Sequence, residues 1–278
     1  MNHTTGHFEG KDGIRLACRS WLPEEPLRAV VLIVHGIAEH CGRYADITAP
    51  LIATRIGVCG FDLRGHGQSA GHPVHVEHWQ DFSADLGCFI AKVRAGFPKV
   101  PLFLFGHSLG SLIVISHLIE HPTAVNGVIL SGTAIDPVGV ARPHKVALAY
   151  LFSFLLPKFP IPVRGKRRAV LSRDPRVEDD FAADPLVRRT ATARFATEAL
   201  AMISAVKRGA PSVTLPLLMI HGGADPLNTV AGALQFFEAA RSPDKRLVVY
   251  PGSLHEPFHD LDRDQVLADL VSWIGEHS

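Results

Sequence analysis

Five residues, Gly106-His107-Ser108-Leu109-Gly110, constrain this chain most, because the apolar run before them reads as a buried strand and the residues after them as a helix. A serine at the tip of so sharp a strand-to-helix turn takes strained backbone angles, so the positions two before and two after it must lack a side chain. Gly106 and Gly110 meet that demand. The turn lifts the Ser108 hydroxyl above the sheet. It also aims the Leu109 N–H, at the positive end of the following helix, toward a developing oxyanion. The motif alone is weak evidence, and its flanking strand and helix give it mechanical content.

Around it the chain alternates. Two short strands flank the turn Lys11-Asp12-Gly13, and a continuous β-branched run at 29–34 ending at His35-Gly36 reads as a central parallel strand. A helix over 43–55, a strand at 58–62, a helix over 77–94, a strand at 102–105, a helix from 109 and a strand at 128–130 follow. This predicts an α/β fold with a mostly parallel, doubly wound sheet of about eight strands. The rhythm stops between 133 and 213, where Pro143, Pro157, Pro160, Pro162, Pro175 and Pro185 separate helical apolar segments. A mainly helical cap inserted at 134–212 is the expectation, with the core at 1–133 and 213–278. The sheet resumes at 217–220, followed by a helix over 230–240, a strand at 247–250 and a closing helix over 264–275.

The 278 residues, 47 % hydrophobic, suffice for one large core carrying such an insertion. A formal charge of +1 leaves no electrostatic footprint for nucleic acid, and the basic run Arg164-Gly165-Lys166-Arg167-Arg168 reads as a solvated loop. The start, Met1-Asn2-His3-Thr4-Thr5-Gly6-His7, lacks the basic and apolar regions of a secretory signal, so a cytoplasmic location is expected. Cys18, Cys41, Cys59 and Cys88 form no C-x-x-C pair and are expected as reduced thiols. The apolar run 146–156, closed by Pro157, is too short to span a bilayer.

A serine hydroxyl needs a histidine to take its proton and a carboxylate to hold that imidazole in the right tautomer. Both should lie beyond strand ends downstream, since the strands of a parallel sheet expose their carboxyl ends on one edge. After the strand at 217–220 comes His221-Gly222-Gly223-Ala224-Asp225-Pro226, and after the strand at 247–250 comes Pro251-Gly252-Ser253-Leu254-His255. The expected triad is therefore Ser108, Asp225 and His255. A second oxyanion donor is expected from His35-Gly36-Ile37, with the Ile37 amide favoured. His255-Glu256-Pro257-Phe258-His259 also satisfies H-E-x-x-H, but Pro257 breaks the helical turn a zinc site of that kind requires. His72, His75 and His78 share a loop with a single glutamate, Glu77, and without the wider carboxylate or cysteine frame of a metal site, so the loop reads as solvated, and no cofactor or metal is needed for the chemistry.

Together these motifs resemble the monoacylglycerol lipases and related lysophospholipase-like serine hydrolases of the α/β-hydrolase superfamily. The match rests on the stretches 35–44, 61–71 and 106–110, on Ser172-Arg173 and Asp184-Pro185-Leu186, and on 221–225 and His255. The stretch 61–71 is expected to brace the nucleophile loop. The resemblance implies the same triad, an oxyanion hole from the Ile37 and Leu109 amides, and a cap over an acyl tunnel. It places Glu39 and Arg43 at the polar end of the site, the alternative being a surface ion pair on a first helical turn, and it places Phe181 where animal members have a tyrosine. The chain departs from the family at Ala38 and Ser111, commonly glycines, and at Leu109, commonly methionine.

The cap stretch 146–156, including Leu151 and Leu155, is apolar almost all round. It is expected to line a pocket, touch a membrane surface transiently or pair with another subunit, the alternative being that it simply packs on the core as a lid. Cleavage of a monoacylglycerol through an acyl-enzyme is the expected function. Lysophospholipase or general esterase activity is an alternative. So is a proline-iminopeptidase-like activity using Glu178-Asp179-Asp180, or a non-catalytic ligand receptor on the same fold.

Overall fold

The computed structural model describes residues 1–121, 125–139, 143–163 and 170–278; the basic run at 164–168 lies outside the described residues. The chain opens with two antiparallel strands, β1 (Asn2–Glu9) and β2 (Arg15–Leu22), then β3 (Ala29–Val34), α1 (Thr48–Ala53) and β4 (Ile56–Phe61). It continues through α2 (Gln80–Gly96), β5 (Leu102–His107), α3 (Leu109–Glu120) and β6 (Gly127–Ser131). Next come α4 (Pro143–Leu155), β7 (Pro160–Pro162), α5 (Pro175–Ala183), β8 (Thr190–Thr192) and α6 (Ala193–Gly209). It ends with β9 (Leu217–Gly222), α7 (Val230–Ala239), β10 (Lys245–Tyr250) and α8 (Arg263–Glu276). The main sheet has eight strands in the order β1-β2-β4-β3-β5-β6-β9-β10. From β4 to β10 all pairings are parallel, as the alternation predicts.

Alternate side chains of each central strand enter opposite layers, the period-2 consequence of the pleat. Val30, Leu32 and Val34 of β3 join Leu102 and Leu104 of β5 in the layer covered by α2, α3 and α6. Val31 and Ile33 join Phe103 and Phe105 in the layer covered by α1 and α8. Both faces are buried, so β3 reads as an unbroken apolar run rather than an alternating one.

The expected helix over 43–55 is shorter than predicted. A 3₁₀ segment covers Cys41–Ile47 and only Thr48–Ala53 is α-helical. Pro50 accounts for this: its ring obstructs an α-helical turn before it, so the α-helix starts within the first turn around the proline. Among the described residues between β6 and β9 no strand joins the main sheet; β7 and β8 pair with each other. That segment is nonetheless anchored, because Phe195, Met202 and Val206 of α6 enter the core layer with α3. All four cysteines are free thiols. Among the described residues no helix is long and apolar enough to cross a membrane.

Candidate active site

Ser108 sits between the end of β5 and the start of α3 with φ 50° and ψ −115°. Its turn is possible only with glycine at both flanks. A Cβ on Gly110 would lie 2.0 Å from the Val34 carbonyl oxygen, and one on Gly106 would lie 2.7 Å from the Gly110 carbonyl oxygen. The Ser108 amide donates to the Ser131 carbonyl at 2.9 Å, and its own carbonyl accepts from the Ser111 amide and hydroxyl at 3.0 and 2.5 Å. Ser111 thus buttresses the strained turn.

The loops after β9 and β10 bring the other two residues together by direct backbone contact. A Cβ on Gly222 would lie 1.8 Å from the Leu254 carbonyl oxygen and one on Gly223 2.7 Å from Pro251, so only glycine lets the two loops press this closely. Asp225 Oδ2 then accepts from His255 Nδ1 at 2.8 Å, while Oδ1 accepts from the amides of Leu227 at 2.7 Å and Asn228 at 3.1 Å. An ionised carboxylate only accepts, so His255 carries its proton on Nδ1 and presents Nε2 as a lone-pair acceptor. His255 and Ser108 line the same cavity. Burial pushes the His255 imidazole down. The Asp225 carboxylate, with Glu256 and Glu39 behind it, outweighs burial and holds it above 6.5. Burial likewise pushes Asp225 up, and the His255 imidazole beside it brings it below 3.8.

Ile37 and Leu109 line the cavity next to Ser108. The Gly36 N–H is committed to Glu39 Oε1 at 2.5 Å, which leaves Ile37 as the cavity-lining residue that follows it. Ala38 completes the turn with φ 67°, a left-handed conformation that glycine would adopt with less strain.

Glu39 and Arg43 do not form a surface pair. Glu39 is 2 % exposed, lines the cavity, and accepts from the Tyr44 hydroxyl at 2.9 Å and from Arg43. Arg43 lies behind the cavity rather than in its wall, so of the two residues expected at the polar end only Glu39 faces the space a substrate would fill. Its guanidinium donates twice to Glu256, both at 2.8 Å, and sits 4.8 Å above the Phe181 ring. It thereby joins the loop carrying Ile37 to the loop carrying His255. Burial pushes the Glu256 carboxyl up, but Arg43 and His259 more than offset this and hold it well below 4.5. Glu256 was not singled out from sequence as a site residue. Its position next to His255 is readable there, but its partner Arg43 is 213 positions away.

The cavity encloses about 530 Å³ and is largely apolar, walled by Leu112, Val146, Ala149, Phe181 and the α6 residues Ala196, Ala199, Leu200 and Ile203. Phe181 lines it with an apolar ring that offers no hydroxyl to a polar headgroup. Leu151 and Leu155 do not line it: they are 52 % and 60 % exposed on the outer face of α4, while Val146 and Ala149 face inward. A helix apolar on every side carries no sequence mark of its inward face, so the expectation that Leu151 and Leu155 hold substrate is corrected to Val146 and Ala149. The residues 178–180 are also absent from the wall, and Glu178 Oε1 accepts from the amides of Val170 and Leu171 at 2.8 and 2.7 Å. In the H-E-x-x-H stretch, Pro257–His259 is a 3₁₀ turn and the two imidazoles serve different carboxylates, His255 with Asp225 and His259 with Glu256. Asp62 accepts from the amides of Cys41 and Gln68, both at 2.9 Å, so the 61–71 stretch fastens the loop that follows β3.

A family model, Hydrolase_4 (Serine aminopeptidase, S33), matches residues 25–262. The chain is 34 % identical over 271 residues to a monoacylglycerol lipase of Mycolicibacterium smegmatis, covering 97 % of this chain and 96 % of that protein. It is 35 % identical to the monoglyceride lipase of Mus musculus, over 97 % of this chain and 89 % of that one. Among solved structures, the Paleococcus ferrophilus monoacylglycerol lipase superposes with a TM-score of 0.82 at 27 % identity, covering all of both chains. The eight-stranded arrangement is thus the α/β-hydrolase fold.

Proposed function

The chain belongs to the Hydrolase_4 family, and on that footing we propose that it is a serine esterase releasing a fatty acid from monoacylglycerol through an acyl-enzyme. One observation carries the reading: Ser108 and an Asp225-anchored His255 open into a single large apolar cavity. Ser108 Oγ attacks the ester carbonyl as His255 Nε2 takes its proton, and the amides of Ile37 and Leu109 receive the oxyanion. His255 then protonates the leaving alcohol. A water activated by the same imidazole releases the fatty acid. Residues 134–212 act as a cap that supplies the acyl wall through α4 and α6.

At the polar end two carboxylates, Glu39 and Glu256, face one guanidinium, which favours an uncharged polyol over a phosphate ester as leaving group. This supports monoacylglycerol over a lysophospholipid. The test combines labelling by a fluorophosphonate with turnover of monoolein, lysophosphatidylcholine, a short nitrophenyl ester and an aminoacyl amide. Stoichiometric labelling lost in Ser108→Ala, a fall of at least ~10⁴-fold in turnover for Ser108→Ala and His255→Ala, and preference for monoolein are expected. Unlabelled folded protein, near-wild-type turnover in either variant, or amide cleavage without ester turnover would reject it.

A further inference from the structure

His221, the last residue but one of β9, stands directly behind Asp225, and its imidazole is fully buried. Nε2 lies 3.2 Å from the Asn228 carbonyl oxygen and 3.5 Å from Asp225 Oδ2. Nδ1 is buried with no hydrogen-bond partner among the described residues. Burial holds the ring below 6.5 against the pull of Asp225 and the Asn228 carbonyl, so it is neutral at pH 7. A carbonyl only accepts, so the proton is on Nε2 and the orphaned atom is a bare acceptor. A leucine would fill a similar volume without burying that acceptor. What accounts for an imidazole here is therefore the use made of its Nε2–H.

That N–H has two effects. The first is mechanical. The Asn228 carbonyl it holds belongs to a residue whose amide donates to Asp225 Oδ1 at 3.1 Å and whose side chain donates to the Gly132 carbonyl at 2.9 Å. Gly132 in turn presses on His255: its φ is 52°, and a Cβ there would lie 2.8 Å from the His255 carbonyl oxygen. His221, fixed in β9, thus closes a ring of contacts that runs through Asn228, Gly132 and His255 around the carboxylate. The second effect is electrostatic. At 3.5 Å the contact is too long for a full hydrogen bond to Oδ2, but the positive end of the N–H lies beside the oxygen that accepts from His255 Nδ1 at 2.8 Å.

We propose that His221 is a positioning residue for the triad: through the Asn228 carbonyl it pins the turn that carries Asp225, and its N–H dipole shares the carboxylate oxygen that His255 uses. The inference rests on the serine-esterase reading and adds a residue which that reading leaves unused. His221 does not line the cavity, so it acts through Asp225 and touches no substrate. The dipole takes up part of the charge on Oδ2. Without it, Asp225 would favour the charged form of His255 more strongly, and the base would become available only at higher pH. The titratable groups facing His255 are Asp225, Glu256 and Glu39, with the neutral His107 ring 4.8 Å away; those facing Asp225 are His255 and His221.

Turnover of a short soluble nitrophenyl ester by His221→Leu and His221→Gln, followed from about pH 5 to about pH 9, tests the proposal. The leucine variant should lose about tenfold in kcat with little change in KM, and the acid limb of its kcat/KM profile should move up by about half a pH unit. Glutamine offers the Asn228 carbonyl a side-chain N–H where Nε2 stood, and should recover most of kcat and bring the limb back. A limb unmoved or moved down in the leucine variant, a rise in KM alone, or a glutamine variant no better than leucine would overturn the proposal. Ring-nitrogen NMR of the wild-type protein adds a check that needs no variant to fold. It should find His221 neutral at pH 7 with its proton on Nε2; a charged ring, or a proton on Nδ1, would overturn the proposal as well. Fluorophosphonate labelling keeps the two readings apart. Unlabelled wild type would reject the esterase reading and this inference with it, whereas labelled wild type with unmoved pH profiles in both variants would reject this inference alone.

Discussion

A methyl group added at Gly110 would overlap the Val34 carbonyl at 2.0 Å, and the two backbones there belong to the strand carrying the oxyanion turn and the helix carrying Ser108. Gly110→Ala should therefore destabilise the fold by about 3 kcal/mol and cut turnover, checked by urea unfolding beside an ester assay. Arg43 is the second residue on which the site depends. Losing it leaves Glu39 and Glu256 buried without their cation, at a cost of about 3–5 kcal/mol for Arg43→Met. Arg43→Lys keeps a charge but not the paired donation to Glu256, and should recover only part of the stability. Because Arg43 is not in the cavity wall, the lysine variant should lower kcat with little change in KM; the reverse split would place it against substrate. Of this arrangement, sequence disclosed the members that lie beyond strand ends, because parallel strands put those ends on one edge. It disclosed neither Glu256 nor the inner position of Arg43, because a pairing across 213 residues has no local pattern.

α6 and α4 divide the work of the insertion. The spacing of Ala196, Ala199, Leu200 and Ile203 places one face of α6 along the cavity, while Phe195, Met202 and Val206 fasten another face to the core. The two alanines leave the room that an acyl chain would occupy. Ala199→Phe should therefore lower kcat/KM for long-chain esters by about tenfold or more while sparing butyrate esters, because a pocket loses selectively the methylenes it can no longer hold. A uniform fall across chain lengths, measured on a graded ester series, would show instead that α6 had shifted against the core. The period of α6 is partly marked in its sequence, since Arg194 and Glu198 fall opposite the cavity residues, although Lys207 near its end falls on their side. That of α4 is not, and only the structure assigns Val146 and Ala149 inward and Leu151 and Leu155 outward. The order of the strands has a similar limit. Alternation of strand and helix predicts a parallel sheet, but the placement of β2 antiparallel beside β4 depends on side-chain fit between strands.

Across the whole molecule, buried imidazoles couple stability to pH. Burial holds His35 down to about 4, and burial with a neighbouring imidazole holds His66 and His107 to about 3, so all three are neutral in the folded protein. In the unfolded chain each returns to about 6.5 and binds a proton more readily. Between the folded and unfolded values the unfolded state holds more protons, so the stability these groups allow is full above pH 6.5 and declines as pH falls toward 4 and below. At pH 5 the loss is about 2 kcal/mol for each. His255 works in the other direction, because its raised value favours the folded state below pH 6.5 and that contribution fades as pH rises through it. His277 is raised as well, after burial lowers it, by its bonds to the Trp273 carbonyl and Asp244, whereas burial also lowers His75, His117 and His221, which act with the first three. The depressed carboxyls Asp225 and Glu256 add a further loss in stronger acid, where their ion pairs are protonated. Urea unfolding at pH 7 and pH 5 should thus give a markedly lower midpoint at pH 5 with a similar slope. Equal midpoints would mean that these histidines titrate in the folded state near their ordinary value, and that the core around β3 and β5 admits water the packing excludes.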